Sequence, residues 1–295
     1  MDIRGIITPL LTPFTPQGKV DVAALEREVH YVIDVCQVDA LEAAAVETQE
    51  YQFLSHEERR ALIVVTAQLT GNRLPLIIGV SHPNPRTAAE LAHLAEDVGA
   101  AAVQLLIPLR PFGGQPTTRE VVAYFSQVGR ETRLPIVAYH NPGPGAEASP
   151  ETMLELAKLD CVAAFKESSR DLRRVGRLIE EIERADHARY FTTMEMLLIS
   201  LLLGGAGATM PPPAAKIGAD VVRAYRGGDL KAAVEGQRKF SLFPARWIHR
   251  GLAPVLKAAM RMVGVDLGDP HPPFEPLSRE EFLALQRHLR EIGLV

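Results

Sequence analysis

Cysteine is scarce in this chain: Cys36 and Cys161 are the 2 among 295 residues. That is too few for a disulfide framework or a cysteine-built zinc site, so both are expected to be small buried hydrophobes. No lysine- and arginine-rich tract is present, and a net charge of -4 with both signs interspersed argues against nucleic acid as a partner. No apolar run approaches the roughly 18 residues of a membrane span, and Met1-Asp-Ile-Arg4 lacks the basic-then-apolar order of a leader. A cytoplasmic protein without a membrane partner is therefore expected. His56 and Glu57 lack the spacing of a zinc helix, and His140 alone is a weak ligand candidate. Gly204-Gly-Ala-Gly207 lacks the order of a dinucleotide or phosphate loop. Neither a metal nor a cofactor is implied.

What is abundant is apolar sequence, 47% against 23% charged, the balance of a globular protein with a sizeable core. Short apolar runs at residues 5–11, 40–46, 74–80, 101–107, 134–139, 161–166, 189–192 and 204–209 read as strands. Helical periodicity follows each of them, over about 22–38, 55–69, 87–98, 118–130, 150–158, 171–184, 194–203 and from Pro211 to Tyr225. Asp21 and the capping-box spacing Ser55-His-Glu-Glu58 mark two of the helix starts. Strand–helix units in unbroken succession predict an α/β fold, a closed (β/α)8 TIM barrel, with an open doubly wound sheet as the second choice. After Gly227-Gly-Asp229 the strands stop, and periodicity over 230–243, 251–264 and 279–292 predicts a C-terminal helical extension. The expected domains are thus a barrel over 1–226 and helices over 227–295, whose apolar faces need the barrel or a neighbouring subunit to cover them.

In such barrels the strands deliver functional side chains to their carboxyl-terminal rim. Candidates there are Thr8, Glu47, Thr48, Glu50, Arg110, Tyr139, His140 and Lys166. Lys166 ends the run Cys161-Val-Ala-Ala-Phe165, and alternation places Val162, Ala164 and Lys166 on one face. Among apolar walls the ammonium form is disfavoured, which frees a neutral amine to attack a carbonyl; alone, a lysine at a strand end is more often solvated. Tyr139 lies one strand–helix repeat earlier, so the two side chains can enter one cavity, the tyrosine moving protons. Taken singly, Tyr139 reads as a half-buried aromatic.

Several segments together resemble one family. They are Thr12-Pro-Phe14 with Asp21, Leu54-Ser-His-Glu-Glu58, Leu134-Pro-Ile-Val-Ala-Tyr139-His-Asn-Pro-Gly143, Phe165-Lys166-Glu-Ser-Ser-Arg-Asp171, Gly204-Gly-Ala-Gly207 and Gly228-Asp-Leu230. In order over nearly the whole chain, they are similar to the dihydrodipicolinate synthase / N-acetylneuraminate lyase family of class I aldolases and lyases. The resemblance implies a barrel with a helical tail, a homotetramer, and a lysine that forms a Schiff base with pyruvate or a longer 2-oxo acid. Lys166 and Tyr139 fall on the family's Schiff-base lysine and catalytic tyrosine, and Thr48 on a hydroxyl that helps hold the carboxylate.

The departures matter as much. Val46-Glu-Thr-Gln-Glu50 stands where the family has Gly-Thr-Thr-Gly-Glu, so Glu47 replaces a relay threonine. Arg110 falls where the synthase branch lends a tyrosine across a subunit interface, and Pro144 where it has an arginine for the aldehyde's carboxylate. These changes weigh against dihydrodipicolinate synthesis and favour a 2-keto-3-deoxy sugar acid aldolase or dehydratase. A non-catalytic 2-oxo-acid-binding barrel is the rival from another class. Glu47 and Arg110 are expected either to pair beside the site, where they would contact substrate, or to face water. Glu42 interrupts its apolar strand without an assigned role, the mark of an inserted residue or bulge.

Overall fold

Eight short strands, each buried on both faces, pair in parallel with their sequence neighbours, and the eighth returns to the first. The computed structural model describes residues 3–46, 50–112, 114–241, 243 and 245–295. Its strands are β1 Gly5–Pro9, β2 Ala40–Ala43, β3 Leu76–Gly79, β4 Ala102–Leu106, β5 Ile136–His140, β6 Val162–Glu167, β7 Arg189–Thr193 and β8 Gly207–Thr209. The barrel is closed, so the open sheet is excluded. Closure brings backbones very near: a Cβ at Gly207 would stand 1.8 Å from the Gly5 carbonyl oxygen, which only glycine relieves.

The interior is filled in layers. Ile7, Ile77, Val137 and Phe191 come from the odd-numbered strands, while Ala40, Ala102 and Ala164 come from even-numbered ones. One residue of the expected alternation is displaced. The β5–β6 register shifts between Ile136 and Val137, so Val162 packs in the outer cluster, and Ala164 and Lys166 keep the inward face. β2 also ends earlier than its apolar run, because Ala44 adopts φ 52°. Its carbonyl lies against Gly79, where a Cβ would come within 2.3 Å.

The helices between strands are α1 Val22–His30, α2 His56–Thr70, α3 Pro85–Asp97, α4 Thr118–Glu131, α5 Pro150–Ala157, α6 Leu172–Leu178 and α7 Leu197–Leu203; α8 Pro212–Arg226 follows β8. Asp21 caps α1 through Ala24 N–H, and Ser55 with Glu58 forms the capping box of α2. The helix expected over 22–38 changes at Tyr31 to a wider π turn that ends at Cys36. Cys36 is buried, whereas Cys161 is half-buried.

Beyond the barrel come α9 Leu230–Arg238, α10 Leu252–Met262 and α11 Arg279–Glu291. Part of this extension is driven into the barrel itself. Lys257 of α10 is buried against Glu50, with its Nζ 2.8 Å from Glu50 Oε1 and 4.6 Å from the centre of the Phe14 ring. Among the described residues no helix is long and apolar enough to cross a membrane.

Candidate active site

Tyr139 and Lys166 are direct register partners on β5 and β6, and both point inward. The next pair, His140 and Glu167, therefore points outward, and the two faces of this strand pair carry different chemistry.

On the outward face a buried network saturates Glu167. Its Oε1 lies 2.5 Å from His140 Nδ1 and accepts from Ser169 N–H at 2.9 Å. Oε2 accepts from Arg174 Nε at 2.9 Å and from the Tyr190 hydroxyl at 3.1 Å. Burial works against the Glu167 carboxylate, yet the bond to His140 and the His140 and Arg174 charges outweigh it and hold the group below the ordinary carboxylate range. Burial, with the Glu167 charge beside it, pushes the Tyr190 hydroxyl well up. His140 thus locks the backs of two adjacent strands.

On the inward face Lys166 Nζ lies 3.2 Å from Glu42 Oε2, with side chains 5% and 0% exposed. The apolar wall expected around the lysine is therefore a carboxylate on one side. Nζ also sits over the Tyr139 ring, 4.3 Å from its centre. The Tyr139 oxygen points toward the mouth, where Asn141 Nδ2 donates to it at 2.8 Å and the Ser168 hydroxyl at 3.4 Å.

Above this floor opens a cavity of about 400 Å³ at the carboxyl ends of β5 to β8. Ser168, Arg170, Thr193 and Glu195 line it, with Leu252 contributed by α10. Arg170 and Glu195 form an ion pair at 3.0 Å across its rim. The arrangement offers a primary amine and a phenol on the wall of one cavity, with the buried Glu42 carboxylate against the amine, a set able to form an imine and move protons about it.

The other expected site residues are placed differently. Glu47 and Thr48 lie outside the described residues. Arg110 turns to Glu120 at the start of α4, with Nη2 2.5 and 2.6 Å from the two carboxylate oxygens, at the exposed surface. It does not figure among the described residues that line the cavity. Glu50 is drawn into the joint with Lys257, and among the described residues no group of acidic, histidine or cysteine side chains is arranged to hold a metal ion. Glu42 is the functional candidate that patterning passed over. A carboxylate in a strand buried on both faces requires a cationic partner, and that requirement was the available signal.

A parallel barrel whose sixth strand carries a buried lysine to a cavity at the strand ends has the form of a class I aldolase or lyase, and the chain is an enzyme of that class. The sequence model of the Dihydrodipicolinate synthetase family matches residues 2–292. The 4-hydroxy-tetrahydrodipicolinate synthase of Acidobacterium capsulatum is 31% identical over 300 residues, spanning 100% of this chain and 97% of its own. The dihydrodipicolinate synthase of Bacillus anthracis superposes with a TM-score of 0.90 at 25% identity, over 98% of each chain. A prophage protein of the dihydrodipicolinic acid synthase family from E. coli K12, solved with pyruvate, superposes at 0.91 with 24% identity over 100% of both, a likeness of fold. The chain belongs to the dihydrodipicolinate synthetase family.

Proposed function

We propose that the ε-amine of Lys166 condenses with the ketone of pyruvate or a longer 2-oxo acid, and that the resulting iminium drives bond-making or bond-breaking at the neighbouring carbon. The observation that carries this is the amine's position, buried at the floor of a cavity with the Tyr139 hydroxyl nearer the mouth. The cationic nitrogen withdraws electrons, so the adjacent carbon loses a proton to give an enamine or a carbon–carbon bond breaks. Tyr139 exchanges the proton on the substrate side, with Asn141 and Ser168 orienting its oxygen.

The favoured substrates are 2-keto-3-deoxy sugar acids, cleaved or dehydrated. Hydroxyl and charged groups along the wall, Ser168, Thr193, Arg170 and Glu195, suit a chain of hydroxyls. Thr48 is proposed to hold the carboxylate, and Glu47 and Arg110 to touch substrate at the rim. Dihydrodipicolinate synthesis is the second reading, favoured by the relatives' names and opposed by Pro144 in place of the expected arginine. The chain is further proposed to work in the cytoplasm as a homo-oligomer, a tetramer by family resemblance, with the exposed Leu109 and Phe112 after β4 available for subunit contact.

Borohydride reduction with pyruvate, read by peptide mass spectrometry, tests the imine: an adduct is expected on Lys166, and no adduct with any of several 2-oxo acids would sink the proposal. Turnover of 2-keto-3-deoxy sugar acids, against loss of pyruvate with aspartate semialdehyde, separates the two substrates. An adduct without turnover of either favours the non-catalytic barrel.

A further inference from the structure

We propose that Glu42 is a catalytic residue, the base that takes the proton of the Lys166 ammonium and the acid that later expels water from the carbinolamine. This rests on Lys166 being the imine-forming amine. β2 and β6 face each other across the eight-stranded ring, so the pair spans the barrel interior above the small side chains of Ala40 and Ala164. Two charges brought this deep gain little over apolar side chains of similar volume, which makes stability a poor reason for the pair. Chemistry is a better one. An ammonium has no lone pair to attack a ketone, and among the described residues the carboxylate within hydrogen-bond reach of Nζ is Glu42. Tyr139 presents its ring, not its oxygen, to that nitrogen.

The steps balance. Glu42 first takes one proton from Nζ, leaving a neutral amine and a neutral carboxylic acid. Nζ attacks the ketone carbon, a C–N bond forms, and the proton remaining in excess on nitrogen passes to the oxygen to give the carbinolamine. Glu42 then returns its proton to the carbinolamine hydroxyl, the C–O bond breaks, water leaves, and the nitrogen lone pair forms the C=N bond. The product is an iminium beside a carboxylate, the same charge pair that the resting site holds. Two proton stations result: Glu42 serves nitrogen at the floor, and Tyr139 serves substrate oxygen and carbon at the mouth.

Rapid-quench borohydride trapping of pyruvate, with the labelled fraction of Lys166 followed over time, tests this in the wild type, E42Q and E42D. The amide of E42Q cannot accept the proton, and imine formation is expected to slow about 10²- to 10⁴-fold. E42D keeps the charge but withdraws it by one methylene, and a slowing of roughly tenfold is expected. Circular dichroism checks folding; if the amide does not fold, E42D decides alone. Wild-type rates in the folded variants would overturn the role of Glu42 while leaving Lys166 intact. A wild type that forms no adduct would overturn Lys166 itself.

Discussion

Among the described residues two buried glutamate–lysine pairs are near copies in local geometry. Glu42 and Lys166 meet at 3.2 Å with the ammonium over the Tyr139 ring, and Glu50 and Lys257 meet at 2.8 Å with the ammonium over the Phe14 ring. What differs is the surroundings. Lys257 also donates to the Asp269 carbonyl at 3.2 Å, while Glu50 accepts from Thr12 N–H at 2.9 Å. That pair is buried between Thr12 and Phe14 on one side and α10 on the other, whereas Lys166 lines a cavity. In the proposed mechanism burial, charge and an aromatic neighbour are therefore not what selects the nucleophile; room for a carbonyl beside the amine is.

The comparison can be broken by substitution. K166M should abolish borohydride-dependent labelling, at a cost of about 3–5 kcal/mol in unfolding free energy because Glu42 is left buried without its cation; labelling that persists in the folded variant would place the chemistry elsewhere. Y139F should cut turnover about 10²- to 10⁴-fold but still allow the Lys166 adduct to form. If the adduct vanished instead, the two proton stations would collapse into one.

K257M should spare the labelling. It leaves Glu50 buried without its cation, at a cost of about 3–5 kcal/mol in unfolding free energy, while the adduct yield per folded molecule is unchanged. Denaturant unfolding and trapping on the same sample measure both. A smaller effect is expected from Glu28, next to this joint. Burial foremost, and the Glu50 charge beside it, raise its carboxyl well above the ordinary range against the opposing bond from Leu11 N–H. The folded state thus holds the proton to higher pH than the unfolded chain does. The stability this contributes is complete below the ordinary carboxylate range and is lost as pH rises from there through the folded value. E28Q should flatten that part of the stability–pH curve, and an unchanged slope would show that Glu28 is not its source.

Much of the scaffold was legible in local chemistry. Asp21 and Ser55 each cap the helix they were expected to start, and short buried strands separated by amphipathic helices specified the closed barrel. The neighbouring placement of Tyr139 and Lys166 followed from one repeat of that pattern. Glu42 escaped because strand patterning counts a charge as an interruption, and only barrel closure sets β2 opposite β6. Lys257 escaped for a related reason: on an amphipathic helix a lysine is counted on the wet face, and nothing local says that its helix is pressed into a barrel mouth. Val162 was misplaced by a register shift that leaves no trace in residue type.

Peptide mapping after borohydride reduction with pyruvate, applied to both buried lysines at once, tests the central claim most directly. The peptide carrying Lys166 should be labelled and the peptide carrying Lys257 should not. Label on Lys257, or on neither in the folded protein, would contradict it.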